Sequence, residues 1–183
     1  GGQGGAVAGD GGQNLLEETP YLFDAGYGDE WFASGNEPSW GIPWVYNWTG
    51  SPWKTQQVVA RTLCEQYTDR ENGLPGNDDL GSMGAWYVFA SMGLYPEIPA
   101  VAGFSVNTPA FPRITVHLPK SNIIIEGGSE QNIYTTSLRL NDAIVNGTWI
   151  PWEDLCNGAR LQFRTSKHPD KKWGTKVLPP SFE

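Results

Sequence analysis

Positive charge is scarce in this chain: 12 Lys and Arg stand against 20 Asp and Glu in 183 residues, for a formal net charge of -8. Nucleic acid and anionic lipid need clustered Lys and Arg to displace counterions, so the balance excludes both as expected partners and favours a neutral ligand. Cysteine is nearly absent too. Cys64 and Cys156 cannot make a disulfide framework, although one long-range bridge is open to them in an oxidising compartment. No apolar run approaches the ~20 residues of a membrane helix. His117 and His168 stand far apart with no second ligand at zinc spacing, and the Gly-X-Ser-X-Gly, Walker-type and dinucleotide fingerprints are missing. The first residues, Gly-Gly-Gln-Gly-Gly, are not the basic and then apolar run of a secretory leader. They read as an exposed loop of a longer precursor, opened by proteolysis.

What the chain has in quantity is aromatic surface. Aromatics make up 13%, with 9 Trp, and a 39% hydrophobic fraction with a mean hydropathy of -0.40 describes a globular chain long enough to bury a core. Two glycosylation acceptors, at Asn47 (Asn-Trp-Thr) and Asn146 (Asn-Gly-Thr), join the acidity and the Trp abundance in pointing to a secreted protein, provided they lie at the surface.

Residues 1–13 offer almost no side chain to bury and read as a Gly-rich linker. Gly35-Asn36-Glu37-Pro38-Ser39 then breaks any regular pattern. Ser51-Pro52 is a helix start, and Val59, Leu63 and Tyr67 recur at helical spacing, which predicts a helix from Pro52 to Tyr67. A turn-rich stretch, Asn72 to Asp79, precedes a nearly all-apolar run, Leu80 to Met92, expected to be a buried helix stopped by Gly93. Beyond Pro99 the period becomes two: Ile114, Val116 and Leu118 alternate with polar residues. Ile123 to Ile125, the stretch around Leu138 and Leu140 before Asn141-Asp142, Trp149 to Trp152 and Leu161 to Phe163 complete the expected strands. The fold class is therefore α+β, helical hairpins followed by a small antiparallel β-sandwich, divided as 14–98 and 99–183.

Two loops could carry chemistry, Gly35 to Ser39 and Pro75 to Gly81. Each sets carboxylate and amide oxygens in a Gly/Pro-shaped turn beside aromatic sequence, as sugar pockets require. Asp78 and Asp79 fall where a helix starts, and its dipole and unpaired N–H groups favour ionised carboxylates able to act as a base. The bland alternatives are a helix cap for Asp78 or Asp79, a turn residue for Glu37, and core packing for Trp40, Trp44, Trp48, Trp53 and Trp86. Asn36, Glu37, Asn77, Asp78 and Asp79 together form an oxygen-rich set suited to a hard cation such as Ca2+, without an EF-hand loop to support it.

In order and spacing, these blocks resemble glycoside hydrolase family 92, calcium-dependent exo-α-mannosidases. The resemblance is carried by Gly35 to Ser39, Ile42-Pro43, Tyr46-Asn47 and Pro52 to Thr55. It continues through Gly73 to Asp79, Gly81 to Met83, Ala85 to Phe89 and Gly93 to Pro96, with Pro109 to Pro112 and Lys172 to Gly174 in the tail. It implies the end of an (α/α) helical-hairpin barrel plus its β-sandwich, and an inverting release of terminal α-linked mannose, of α-1,2 type, from glycans. It implies Asp79 as general base assisted by Asn77 or Asp78. Glu37, Asn36, Trp40 and Trp86 would contact sugar, and Asn36, Glu37 and Asp79 would hold Ca2+. The family's general acid is a Glu well upstream. Glu17, Glu18 and Glu30 are poor substitutes, so the acid is expected in an N-terminal portion of the same precursor. Trp40-Gly41 departs from the two His that many members carry there. A glycan-binding or structural β-sandwich module without catalysis is the alternative.

Overall fold

The structure, a computed structural model, describes residues 32, 34–35 and 37–181. The expected linker 1–13, Glu17, Glu18, Glu30 and Asn36 lie outside the described residues.

Two short 3-10 turns, Glu37–Ser39 and Ile42–Asn47, lead into helix α1, Pro52–Gln66. Proline at its first turn starts α1 without sacrificing a needed donor. Ser51 stands at the cap position, but its hydroxyl makes no capping bond. The buried face of α1 is partly polar, with Thr55, Gln56, Gln57 and Thr62 beside Val58 and Val59. Helix α2 runs Ser82–Met92, starting after Leu80, which is fully exposed. It is also one-sided: Met83, Trp86 and Ala90 are buried while Val88 is 54% exposed. An all-apolar run was expected to be buried all round; here small and apolar residues also cover the outer side. Gly93 ends α2 at φ 79, its N–H shared between the carbonyls of Ala90 and Phe89.

Eight strands follow: β1 Leu94–Tyr95, β2 Gly103–Val106, β3 Arg113–His117, β4 Asn122–Glu126, β5 Tyr134–Leu140, β6 Ala143–Val145, β7 Trp149–Pro151 and β8 Ala159–Ser166. One sheet has the order β1-β2-β7, so it begins at Leu94, ahead of the expected boundary after residue 98. The other has the order β3-β4-β8-β5-β6. Its β5–β6 hairpin turns on Asn141 and Asp142, both left-handed at φ 47 and 68, as a two-residue hairpin demands. The tail is not wholly antiparallel. β8 lies parallel to β4 while pairing antiparallel with β5, because the chain passes through β7 in the first sheet before returning. His117 is exposed, its ring nitrogen 2.8 Å from the Asn122 amide oxygen across the β3–β4 ladder, as a solvent-facing strand residue should be.

The main hydrophobic cluster draws on both sheets, with Leu94, Val106 and Ile150 from one and Ile125, Leu138 and Leu161 from the other. A second cluster, around Trp44, Val59, Trp86 and Ala90, belongs to the helical part. Buried amides join the two parts. Asn107 donates to Ala90 O at 2.9 Å and accepts from the Trp44 indole at 3.3 Å, and Gln56 accepts the Thr135 N–H at 3.2 Å. Each such bond removes a desolvation cost of about 1–3 kcal/mol that its buried backbone or indole group would otherwise bear. Cys64 and Cys156 are free thiols, and no helix among the described residues is long and apolar enough to cross a membrane.

Candidate active site

The two loops singled out by composition touch each other. Gly35 and Gly76 pack backbone to backbone: a Cβ on Gly35 would stand 2.9 Å from Pro75 O, and one on Gly76 would stand 3.1 Å from Gly35 O and 2.9 Å from Met83 Cε. Neither glycine has a φ that requires glycine. The approach itself demands the missing side chains.

The first loop is closed by its own aromatic. The Trp40 N–H donates to Glu37 O at 3.1 Å and its indole to Ser34 O at 3.0 Å. Glu37 and Pro38 are left exposed. Beneath it lies a ring array: Trp44 stacks on Tyr95 at 3.9 Å and meets Trp86 edge-on at 5.7 Å, and Trp86 stacks on Tyr67 at 5.7 Å. Trp86 is only 2% exposed and donates its indole N–H to Trp40 O at 3.2 Å. That corrects the expectation that it faces sugar: a ring closed in by Trp44 and Tyr67 offers no platform and instead fixes Trp40, which is partly buried at the edge.

In the second loop the two aspartates separate in role. Asp78 caps α2, its Oδ1 accepting the Gly84 N–H at 3.0 Å and its carbonyl the Ser82 N–H at 2.9 Å. Its charge also reaches Tyr67, whose hydroxyl is pushed up to about 12, by burial first and by Asp78 second. Asp79 is exposed, and its carboxylate makes no hydrogen bond among the described residues. It starts a left-handed run, with φ of 47 at Asp79, 60 at Leu80 and 90 at Gly81. Left-handed backbone at two successive non-glycine residues costs of order 1–3 kcal/mol each and is characteristic of working loops. Asn77 is exposed beside them.

The donors present are oxygens, the right chemistry for Ca2+. Among the described residues, however, no three His, Cys, Asp or Glu side chains converge on a metal-sized site. The Asn47 acceptor is corrected outright. It is fully buried, with its amide donating to Ser105 Oγ at 2.8 Å and to Val106 O at 3.0 Å, whereas Asn146 is exposed.

Glu97 escaped the sequence reading. Its carboxyl is packed against Gly41, and Oε2 is enclosed with no hydrogen-bond partner among the described residues. Burial raises its pKa to about 8. A signal was available: Glu97 is the only charged residue between Asp79 and Arg113, set between Pro96 and Pro99.

Carboxylate-bearing loops joined over an aromatic wall are a surface of the kind that carbohydrate-active proteins build. Comparison with known proteins agrees. The family model described as Glycosyl hydrolase family 92 catalytic domain matches residues 10–167. An uncharacterized secreted glycosidase of Arthroderma benhamiae is 31% identical over 157 residues, which is 81% of this chain and 20% of that protein. Among solved structures, a family 92 α-mannosidase of Bacteroides thetaiotaomicron bound to mannoimidazole superposes with a TM-score of 0.78 at 31% identity, covering 81% of this chain and 20% of that one. An inverting family 92 mannosidase of the same organism gives a TM-score of 0.74 at 28% identity, covering 79% and 20%. The chain belongs to glycosyl hydrolase family 92, and it spans about 20% of the length of these relatives.

Proposed function

We propose that this chain is the C-terminal part of a secreted, inverting exo-α-mannosidase acting on terminal α-1,2-linked mannose of glycans, and that it contributes the general-base half of the active site. Its helices close a helical-hairpin barrel, within residues 14–98, and its strands form the sandwich appended to it, within residues 99–183. Asn146 is its glycan-bearing surface residue.

The reading rests on one observation above all: the Gly35–Gly76 contact sets the exposed Glu37 turn beside the loop that carries an unengaged Asp79 carboxylate. In the reaction, Asp79 accepts a proton from water as the water oxygen bonds to the anomeric carbon. The bond to the leaving oxygen breaks on the opposite face, where a Glu of the preceding N-terminal portion donates a proton. Inversion needs these carboxyl groups about 6.5–9.5 Å apart, with room for the water. Asn77 orients that water, while Asp78 holds the loop by capping α2. Asn36, Glu37 and Trp40 bind the sugar.

Asn36, Glu37 and Asp79 would hold Ca2+ together with oxygens from outside this chain; the ion would polarise and orient the sugar hydroxyls. The full-length protein should release mannose from α-1,2-mannosides, lose that activity in excess chelator and regain it with added Ca2+. Full activity after exhaustive chelation would remove the metal from this account, and no release from any α-mannoside would reject the reading.

A further inference from the structure

Gly41 links two turns of different standing. The second, Ile42–Asn47, is anchored by buried Pro43, Trp44 and Asn47; the first, Glu37–Ser39, buries nothing. The backbone at Gly41 therefore shares in placing Glu37 and Trp40, together with the Trp86 bond to Trp40 O and the Gly35–Gly76 contact. That backbone is ordinary, with φ -77 and ψ -21, values open to any residue. Glycine is required for another reason: a Cβ there would lie 2.5 Å from Oε1 and 2.9 Å from Oε2 of Glu97.

Glu97 is itself held firmly. It follows Pro96, its N–H turns back to Tyr95 O at 2.9 Å, and Tyr95 stacks on Trp44 of the anchored turn at 3.9 Å. Its carboxyl thus reaches Gly41 from a support that shares the anchor of the second turn. We propose that Glu97 is a positioning residue for the sugar-binding turn: its carboxyl, wedged against Gly41, helps hold Glu37 and Trp40 in place relative to the Asp79 loop. This rests on the mannosidase reading only for what the turn binds.

Why the neutral form matters follows from the surroundings. Among the described residues, the titratable groups beside Glu97 are Tyr95, two residues before it at the end of β1, and, next to Tyr95, Tyr67 at the end of α1; neither brings positive charge. Among the described residues, no Lys or Arg pairs with Glu97 and its enclosed Oε2 has no hydrogen-bond partner. An ionised carboxylate there has nothing to hold it and must move toward water. Burial accordingly raises the pKa from 4.5 to about 8. The folded state therefore holds more protons than the unfolded between these values. The contribution of Glu97 is complete below the lower value and lost as pH rises through the higher.

The test uses the full-length protein and two readouts. Hydrogen exchange reports the Trp40 amide, bonded to Glu37 O, and the Trp44 amide, bonded to Gly41 O. Protection factors should fall roughly tenfold from about pH 7 to about pH 9 in the wild type and stay level in Glu97→Gln, which cannot ionise. KM for an α-mannoside should rise by a similar factor over that range in the wild type only, with kcat changing less. Gly41→Ala, whose methyl pushes the carboxyl aside, should lower protection at every pH. Protection that is independent of pH in the wild type, or that falls equally in Glu97→Gln, overturns the proposal. A wild-type exchange response without turnover of any α-mannoside supports the contact and rejects the mannosidase reading instead.

Discussion

Asp78 and Asp79 are adjacent and chemically identical, yet their surroundings give them different work. Asp78 spends its carboxylate on the Gly84 N–H, while Asp79 spends none. Replacing Asp78 by Ala should therefore lower stability by about 1 kcal/mol, the usual cost of a lost helix cap, measured by denaturant unfolding. An unchanged midpoint would show that the cap bond contributes nothing. The sequence reading foresaw capping and catalysis as alternatives for this pair but had no means of dividing them, because a one-residue offset relative to the first turn decides which carboxylate points at the helix. Glu97 illustrates the opposite failure. It was passed over because its partner, Gly41, is distant in sequence and is recognisable only by lacking a side chain.

Elements were more legible than residues. Proline at the first turn, helical spacing of Val59 and Leu63, and Gly93 after an apolar run located α1 and α2 closely, since caps and periodicity are local properties. Alternation and β-branched runs located β3, β4, β5, β7 and β8, whereas the short β1, β2 and β6 carried no such signal. Their pairing was not legible: nothing local distinguishes a β8 that runs parallel to β4 from an antiparallel one, as the choice is made by the crossing through β7. The Asn47 acceptor misled for a related reason, because a buried amide bonding across to β2 has the same tripeptide as an exposed one. The end of α2 can be tested directly. Gly93 has φ 79, and a Cβ would meet Asn107 O at 2.8 Å. Gly93→Ala combines left-handed strain with a backbone collision and should cost more than about 1 kcal/mol in equilibrium unfolding. A loss within ~0.3 kcal/mol, the level of an ordinary surface substitution, would mean that the helix end relaxes freely.

At the scale of the whole molecule, the chain covers only 20% of the relatives it matches, and in the proposed reading its loops are one side of a site. Leu80, fully exposed beside Asp79 on strained backbone, is what such an open side looks like. The sequence could announce its own loops because their motifs lie in contiguous blocks; the general acid belongs to the proposed reading alone. The central claim is that Asp79 supplies the base. The substitution that isolates it is Asp79→Asn, since Asn tolerates the left-handed φ of 47 and keeps the shape while abolishing the base. The measurement is kcat/KM of the full-length Asp79→Asn protein on an α-1,2-mannoside, beside its unfolding midpoint. The account predicts a loss of about 10²–10⁴-fold with the midpoint unchanged. Turnover equal to wild type would contradict it.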